Sequence, residues 1–305
     1  MLKRFVICLM VCLSLPLLFS GCAMKPACVK CASCGQNGTP GQPGENSIEA
    51  WKLLNRRVIQ YYQQGNPKEA VSLAKESLKF AKKTFGKEHP YVATSLNNLA
   101  ELYRIQSRFY ESEKPYKEAL AIREKALGKT HPDYALSLNN LATLYFLEKR
   151  FSEAEPLYAQ ALTIYESQPQ KDTPNIAGNL DAALSNLGEL YKAQSKYAEA
   201  EGIFKKLLVL REKSKGKANP IYAKSLNDLA AIYFLEGKYK EAEPLFTNTL
   251  SILEKTLGKE HPDIAVVLDN IAEVYKKTGD EEKAKAFLER ATKLRALKQK
   301  PQGQA

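Results

Sequence analysis

The sequence predicts an all-α, right-handed solenoid of about six helix pairs, and three observations carry that prediction. First, the chain repeats itself: SLNNLAELY (95–103), SLNNLATLY (137–145), LSNLGELY (184–191), SLNDLAAIY (225–233) and VLDNIAEVY (267–275) follow one another at a spacing of 42, with one four-residue insertion near 175–182. Second, apolar residues inside each copy recur at i, i+3, i+4 and i+7, as in Leu96, Leu99, Ala100 and Tyr103. That is one face of an α-helix. Third, a second helical stretch in each copy pairs a small residue with a large one four places on. Such self-similarity is the signature of stacked supersecondary units that bury their apolar faces only against neighbours.

The elements follow in order. Each copy opens at a dipeptide ending in proline: His89-Pro90, His131-Pro132, Thr173-Pro174, Asn219-Pro220 or His261-Pro262. Proline suits the first helical turn, where the N–H it lacks has no partner, and Thr or Asn before it can cap the helix. Since Thr and Asn replace His in two copies, the histidines are read as caps rather than metal ligands. A three-residue polar turn follows the first helix: Gln106-Ser107-Arg108, Glu148-Lys149-Arg150, Gln194-Ser195-Lys196, Glu236-Gly237-Lys238 or Thr278-Gly279-Asp280. The second helix places Ala154, Ala200, Ala242 and Ala284 at one position, with Tyr158, Phe204, Phe246 and Leu288 four later. A small residue facing a large one interlocks two helices without voids. Gly86, Gly128, Gly216 and Gly258 end these helices and suit a left-handed C-terminal cap. A degenerate copy comes first, with Leu54, Val58, Tyr61 and Ala70 in place but Arg57 where leucine is expected; atypical end repeats act as caps.

The N-terminus reads as an address. Met1 to Arg4 is short and basic, and Phe5 to Phe19 is apolar except for Ser14 and Pro16. That layout is a secretory signal, too short to span a bilayer comfortably. The run ends in Leu18-Phe19-Ser20-Gly21-Cys22, which resembles the lipobox of bacterial lipoproteins. The resemblance implies cleavage before Cys22, acylation of Cys22 (palmitate among the chains), and, from Ala23 after it, an outer-membrane protein facing the periplasm. Cys28, Cys31 and Cys34 form a C-x-x-C-x-x-C run. Thiolates at this spacing can converge on a metal or cluster, but no fourth ligand is near and the compartment is oxidising. They are read as tether thiols, with a redox or inter-chain role left open. Gly35, Gly38, Gly41 and Gly44 then recur every third residue. Four triplets are too few for a collagen helix, so this stretch is read as a flexible spacer. The domain expectation is a signal at 1–21, a tether at 22–47, a solenoid at 48–299 and a tail at 300–305.

Composition narrows the chemistry. The chain has 305 residues and a formal net charge of +11, spread without a basic block. That gives no footprint for nucleic acid and fits a solvated surface with some attraction for acidic partners or anionic lipid. All three histidines stand before prolines, leaving none for a nucleophile–base pair. No phosphate loop or paired metal motif occurs. A non-enzymatic protein without a cofactor is expected.

The pattern Leu-small-x-x-Tyr followed by small, aromatic and small resembles the tetratricopeptide repeat. The spacing of 42 and the phrases LNNLAxLY and LGKxHPD are similar to its kinesin-light-chain subtype, over residues 48–297. The resemblance implies that first helices line a concave groove. It places Asn98, Asn140, Asn186, Asp228 and Asn270 there, with Asn97, Asn139 and Asn227 one position earlier. A ladder of carboxamides can bind the main chain of an extended peptide; it can equally be a set of hydrogen bonds that stiffens the stack. One turn along, Arg104, Lys192 and Lys276 alternate with Phe146 and Phe234, a mixture expected to favour an acidic, partly apolar peptide. The functional expectation is a membrane-anchored scaffold that holds a protein or peptide partner. The alternatives are an accessory lipoprotein of an envelope machine such as a pore, pilus or secretion system, or a metal or redox role of the tether cysteines.

Overall fold

The computed structural model describes residues 44–169 and 173–299; the signal, Cys22, Cys28, Cys31, Cys34 and the tail lie outside them. Among the described residues there are twelve helices and no strand: α1 (Glu45–Gln63), α2 (Pro67–Phe85), α3 (Pro90–Ile105), α4 (Phe109–Leu127), α5 (Pro132–Leu147), α6 (Phe151–Glu166), α7 (Pro174–Ala193), α8 (Tyr197–Lys215), α9 (Pro220–Leu235), α10 (Tyr239–Leu257), α11 (Ile264–Thr278) and α12 (Glu281–Gln299). Odd-numbered helices are the first of each pair and even-numbered ones the second. Each packs on its neighbours in the chain, and α5 also touches α7 as α9 touches α11. This is the six-pair solenoid. Its first helix begins at Glu45, inside the stretch 22–47 expected to be tether.

Four of the five prolyl openings are capped by the residue before the proline, with a refinement in chemistry; Thr173, expected to cap α7, makes no side-chain capping bond. His89 Nδ1 accepts from the Tyr91 amide at 3.1 Å and His131 Nδ1 from the Asp133 amide at 3.1 Å. His261 Nδ1 accepts from the Asp263 amide at 3.3 Å, although α11 itself starts later, at Ile264. Asn219 does the same through Oδ1 at 2.9 Å. An imidazole can fill an N-cap only while Nδ1 is unprotonated.

The polar turns reverse direction through one left-handed residue. Ser107, Lys149 and Ser195 have φ of 57°, 61° and 58°, and Gly65, Gly237 and Gly279 serve the other pairs. At the other end of the pair the expectation needs correction. Gly86, Gly128, Gly216 and Gly258 have φ between 81° and 91° but ψ between 151° and 165°. They are extended mirror-image residues rather than left-handed helical caps, a region open only to glycine.

Small faces large as predicted. Ala154, Ala200 and Ala242 are wholly buried on the same helices as Tyr158, Phe204 and Phe246, themselves no more than 2% exposed. In α4 the small residue is Ser112, whose hydroxyl donates to the Ala100 carbonyl at 2.8 Å. Leu288, in the last described pair, is only half-buried. A second device locks successive pairs along the turn edge. Tyr145, Tyr233 and Tyr275 donate to Glu113, Glu201 and Glu243 of the preceding pair at 3.1, 3.1 and 2.7 Å. Arg150 and Lys196 bridge to Glu113 and Glu155 in the same sense. Arg150 first, then Lys117, hold the Glu113 carboxyl down to about 2.

Candidate peptide groove

The predicted asparagines converge on one face, and they bond to each other. Asn98 Nδ2 donates to Asn55 Oδ1 at 2.9 Å, Asn140 to Asn97 at 2.8 Å, Asn186 to Asn139 at 3.2 Å and Asn270 to Asn227 at 3.1 Å. Every rung runs the same way, from the later pair to the earlier one. Asn186 also reaches Thr143 Oγ1 at 3.4 Å. Of the two roles the residues left open, the inter-repeat ladder is the one formed. It leaves Asn98, Asn140, Asn186 and Asn270 half-exposed. A carboxamide has two N–H donors and an oxygen with two lone pairs, so Asn98, Asn140 and Asn270 still have a second N–H and a carbonyl to offer, and Asn186, which directs both N–H groups at the preceding pair, its carbonyl.

One rung is replaced. Between α7 and α9 the acceptor position holds Ser185 and the donor position holds Asp228, a carboxylate with nothing to donate at neutral pH. Asp228 is instead met by Lys224 of its own helix at 2.8 Å. Burial opposes the Lys224 charge, but Asp228 and then Glu189 outweigh it and raise its pKa. Ser185 accepts from the buried Arg211, which also forms a two-pronged ion pair with Asp181 at 2.7 and 2.8 Å and donates to Ser225 at 2.8 Å. The equivalent position of α4 holds Arg123, equally buried, with only neutral partners: the Asp133 carbonyl, Ser137 and Thr94. Burial lowers its pKa.

The cations one turn along are not free charges. Arg104 pairs with Glu101, Lys192 with Glu189 and Lys276 with Glu273, each three residues earlier on the same helix. At the first of these, burial pushes the Glu101 carboxyl up, while Arg104 and a 2.6 Å hydrogen bond from the Tyr116 hydroxyl bring it below its usual value. In the alternate pairs the same two positions hold Thr143 with Phe146 and Ala231 with Phe234. Phe146 and Phe234 are half-buried, each leaning on the first residue of the following helix, Phe151 at 5.7 Å and Tyr239 at 5.3 Å between ring centres. The face thus alternates closed ion pairs with apolar steps.

Several of these residues were missed in the sequence. Asn55 lies at the acceptor position of the degenerate first pair, 42 before Asn97, and that register was its signal. Glu101, Glu189 and Glu273 stand at i, i+3 from the cations, a spacing that brings helix side chains together. Arg123 and Arg211 had no such signal, because Ala81, Tyr165 and Leu253 occupy their position in other pairs.

The tetratricopeptide-repeat sequence profile matches residues 49–125, 92–167, 179–247 and 223–296. The chain belongs to the tetratricopeptide-repeat family. Among solved structures, the kinesin-light-chain repeats of Podosopora anserina are similar, with 25% identity, a TM-score of 0.60, and coverage of 70% of this chain and 99% of that one. BtubC of P. vanneervenii shares 24% identity at a TM-score of 0.64, covering 83% and 94%. PilW, described as a type IV pilus biogenesis factor, shares the fold at 18% identity and a TM-score of 0.60, covering 83% and 96%. No curated protein matches. Among the described residues no helix is long and apolar enough to cross a membrane, and no three His, Cys, Asp or Glu side chains gather as a metal site would require.

Proposed function

We propose that this tetratricopeptide-repeat protein is an adaptor that holds an extended segment of a partner protein along its first-helix face. The observation that carries this reading is the half-exposed row Asn98, Asn140, Asn186 and Asn270, each fixed in orientation by its ladder bond, with a carbonyl left over on all four and an N–H on all but Asn186. A row of oriented carboxamides suits the alternating N–H and C=O groups of an extended main chain. Because the ladder holds the side chains before a ligand arrives, little rotamer freedom is lost on binding.

Selectivity falls to the alternation. Phe146 and Phe234 offer apolar steps two pairs apart, and a ligand would place apolar side chains there. An acidic ligand residue would have to displace Glu189 from Lys192 or Glu273 from Lys276, so acidic groups exchange with existing pairs rather than meeting bare charge. The acidic preference is accordingly weaker than the cations alone suggest.

The reading further places the adaptor in the bacterial envelope, anchored through acylated Cys22 to the outer membrane and facing the periplasm. Metabolic labelling with palmitate tests that part: label on the parent and none on Cys22→Ser is expected, and unlabelled parent would refute it. For the groove, a photo-crosslinking residue is placed at Phe146 or Phe234, with Thr247 on the exposed face of α10 as the control. One dominant protein captured from the first two sites and not from Thr247 is expected. Capture only at Thr247, or at no site, would move the binding function off this face.

A further inference from the structure

We propose that the exposed face of α2 docks on an anionic lipid surface. The inference concerns a different face from the groove and does not depend on what the groove binds. A solenoid offers an internal control, since a position that serves the fold holds similar residues in every pair. On α2 the outward positions hold Lys68, Lys75, Lys79 and Lys82. One pair later the same positions hold Tyr110, Lys117, Ala121 and Glu124, and in the next pair Ser152, Ala159, Thr163 and Glu166. The place of Lys82 is glutamate in the four following pairs, at Glu124, Glu166, Glu212 and Glu254. Elsewhere lysine recurs at these places only singly, Lys117 and Lys205 for Lys75, Lys240 for Lys68 and Lys293 for Lys79, and α2 alone carries all four.

Their geometry is a straight row. At helical spacing the four fall within about 60° of arc and span about 21 Å of axis, with Lys83 to one side. Lys68, Lys75, Lys79 and Lys83 are exposed, and among the described residues none of these four has a carboxylate within ion-pair distance. Only Lys82 is paired, to Glu118 at 2.8 Å. The flanking Glu69 and Glu76 lie to the side of the row rather than in it. Unpaired lysines on one rigid helix repel one another, and a plane of negative headgroups relieves that repulsion along the whole row. Beside Lys68, at the equivalent place on α4, Tyr110 is 92% exposed. A tyrosine with an open ring and a polar tip is suited to the headgroup layer. Position in the chain agrees: α2 is the second helix after the N-terminal segment that is read as the membrane address.

The test is flotation of the full chain with vesicles of phosphatidylglycerol and phosphatidylcholine, or of phosphatidylcholine alone. The parent is compared with Lys68→Gln/Lys75→Gln/Lys79→Gln and with a control of equal charge loss elsewhere, Lys215→Gln/Lys240→Gln/Lys255→Gln. On anionic vesicles at low salt the α2 variant should bind more weakly by about fivefold for each lysine removed, the control should match the parent, and on neutral vesicles all three should agree. Equal binding of parent and α2 variant on anionic vesicles would overturn the proposal, as would an equal loss in the control. Retention on neutral vesicles reads the N-terminal anchor and is common to all three chains, so a failure of the anchor reading shows there and not in the contrast. Circular dichroism of each variant confirms that the helices are intact.

Discussion

Asn140 donates its side-chain N–H to the Asn97 carbonyl at 2.8 Å, across the boundary between two helix pairs. The bond joins residues 43 apart, one more than the repeat spacing, because each rung joins the second carboxamide position of one pair to the first of the pair before it. In a one-dimensional stack such a bond belongs to the nearest-neighbour interface, the term that sets cooperativity. Asn140→Ala should lower stability by about 1 kcal/mol. In a double-mutant cycle with Asn97→Ala by urea unfolding, the two losses should fall short of additive by at least half that amount. Additive losses would mean that the rung carries no stability.

The two buried arginines should respond in opposite ways to loss of charge. Arg211→Met strips Asp181 of its partner and, because that carboxylate is partly open to water, should cost about 1.5–3 kcal/mol. Arg123→Met removes a buried cation that has no carboxylate in contact, and similar substitutions of buried charge by apolar side chains are often near neutral. Urea midpoints of the two variants therefore differ widely, and equal losses would contradict the assignment of partners.

Gly188 is the one member of its position without a side chain, where Ala100, Ala142, Ala230 and Ala272 stand in other pairs. A Cβ there would lie 2.9 Å from the buried Phe204 ring. Gly188→Ala should therefore destabilise by about 1–3 kcal/mol through overpacking, against the small gain in helix propensity. Phe204→Leu in the same chain should recover part of that loss. A stabilised single variant would show that the ring moves aside freely.

Burial lowers the pKa of His89, whose Nδ1 caps α3. A group whose folded pKa is depressed contributes stability that is present above its unfolded value near 6.5 and lost as pH falls through the folded value. The capping site should therefore weaken below about pH 6.5. His89→Asn keeps the acceptor, as Asn219 does naturally, and should flatten that part of the pH dependence. Trp51, the only tryptophan, stacks on Tyr91 at 4.4 Å, and Tyr91 touches His89 at 4.7 Å, so its fluorescence reports the site. Identical pH profiles for parent and variant would assign the acid sensitivity elsewhere.

The repeat register made the fold legible. Once Leu96, Ala100, Tyr103, Ala154 and Tyr158 were aligned, helix pairing and burial followed, because each position faces the same neighbour in every copy. Conformations fixed by several hydrogen bonds at once were less legible: the glycines after the second helices take φ and ψ that no side-chain pattern announces. The groove was legible in its members and not in their bonding. Asn97 and Asn98 read as a local pair, yet each bonds across a different boundary, and only the helix offset between pairs reveals that. The pairing of Lys192 with Glu189 was readable from spacing, whereas the partners of Arg211 come from two other helices, α7 and α9, and leave no short-range trace.

The central claim is a division of labour on the first-helix face, with the asparagine rungs holding the stack and presenting their remaining polar groups to the ligand main chain, and Phe146 and Phe234 reading its apolar side chains. The most direct test uses the segment captured by crosslinking and measures both its affinity and the melting midpoint for Asn97→Ala and Phe146→Ala. Asn97 is chosen because it is a rung acceptor. The account predicts that Asn97→Ala lowers the midpoint and, by freeing Asn140, weakens binding only modestly, while Phe146→Ala leaves the midpoint nearly unchanged and weakens binding by tenfold or more, about 1.4 kcal/mol. Loss of affinity in Asn97→Ala with an unchanged midpoint, and unaltered binding in Phe146→Ala, would contradict it.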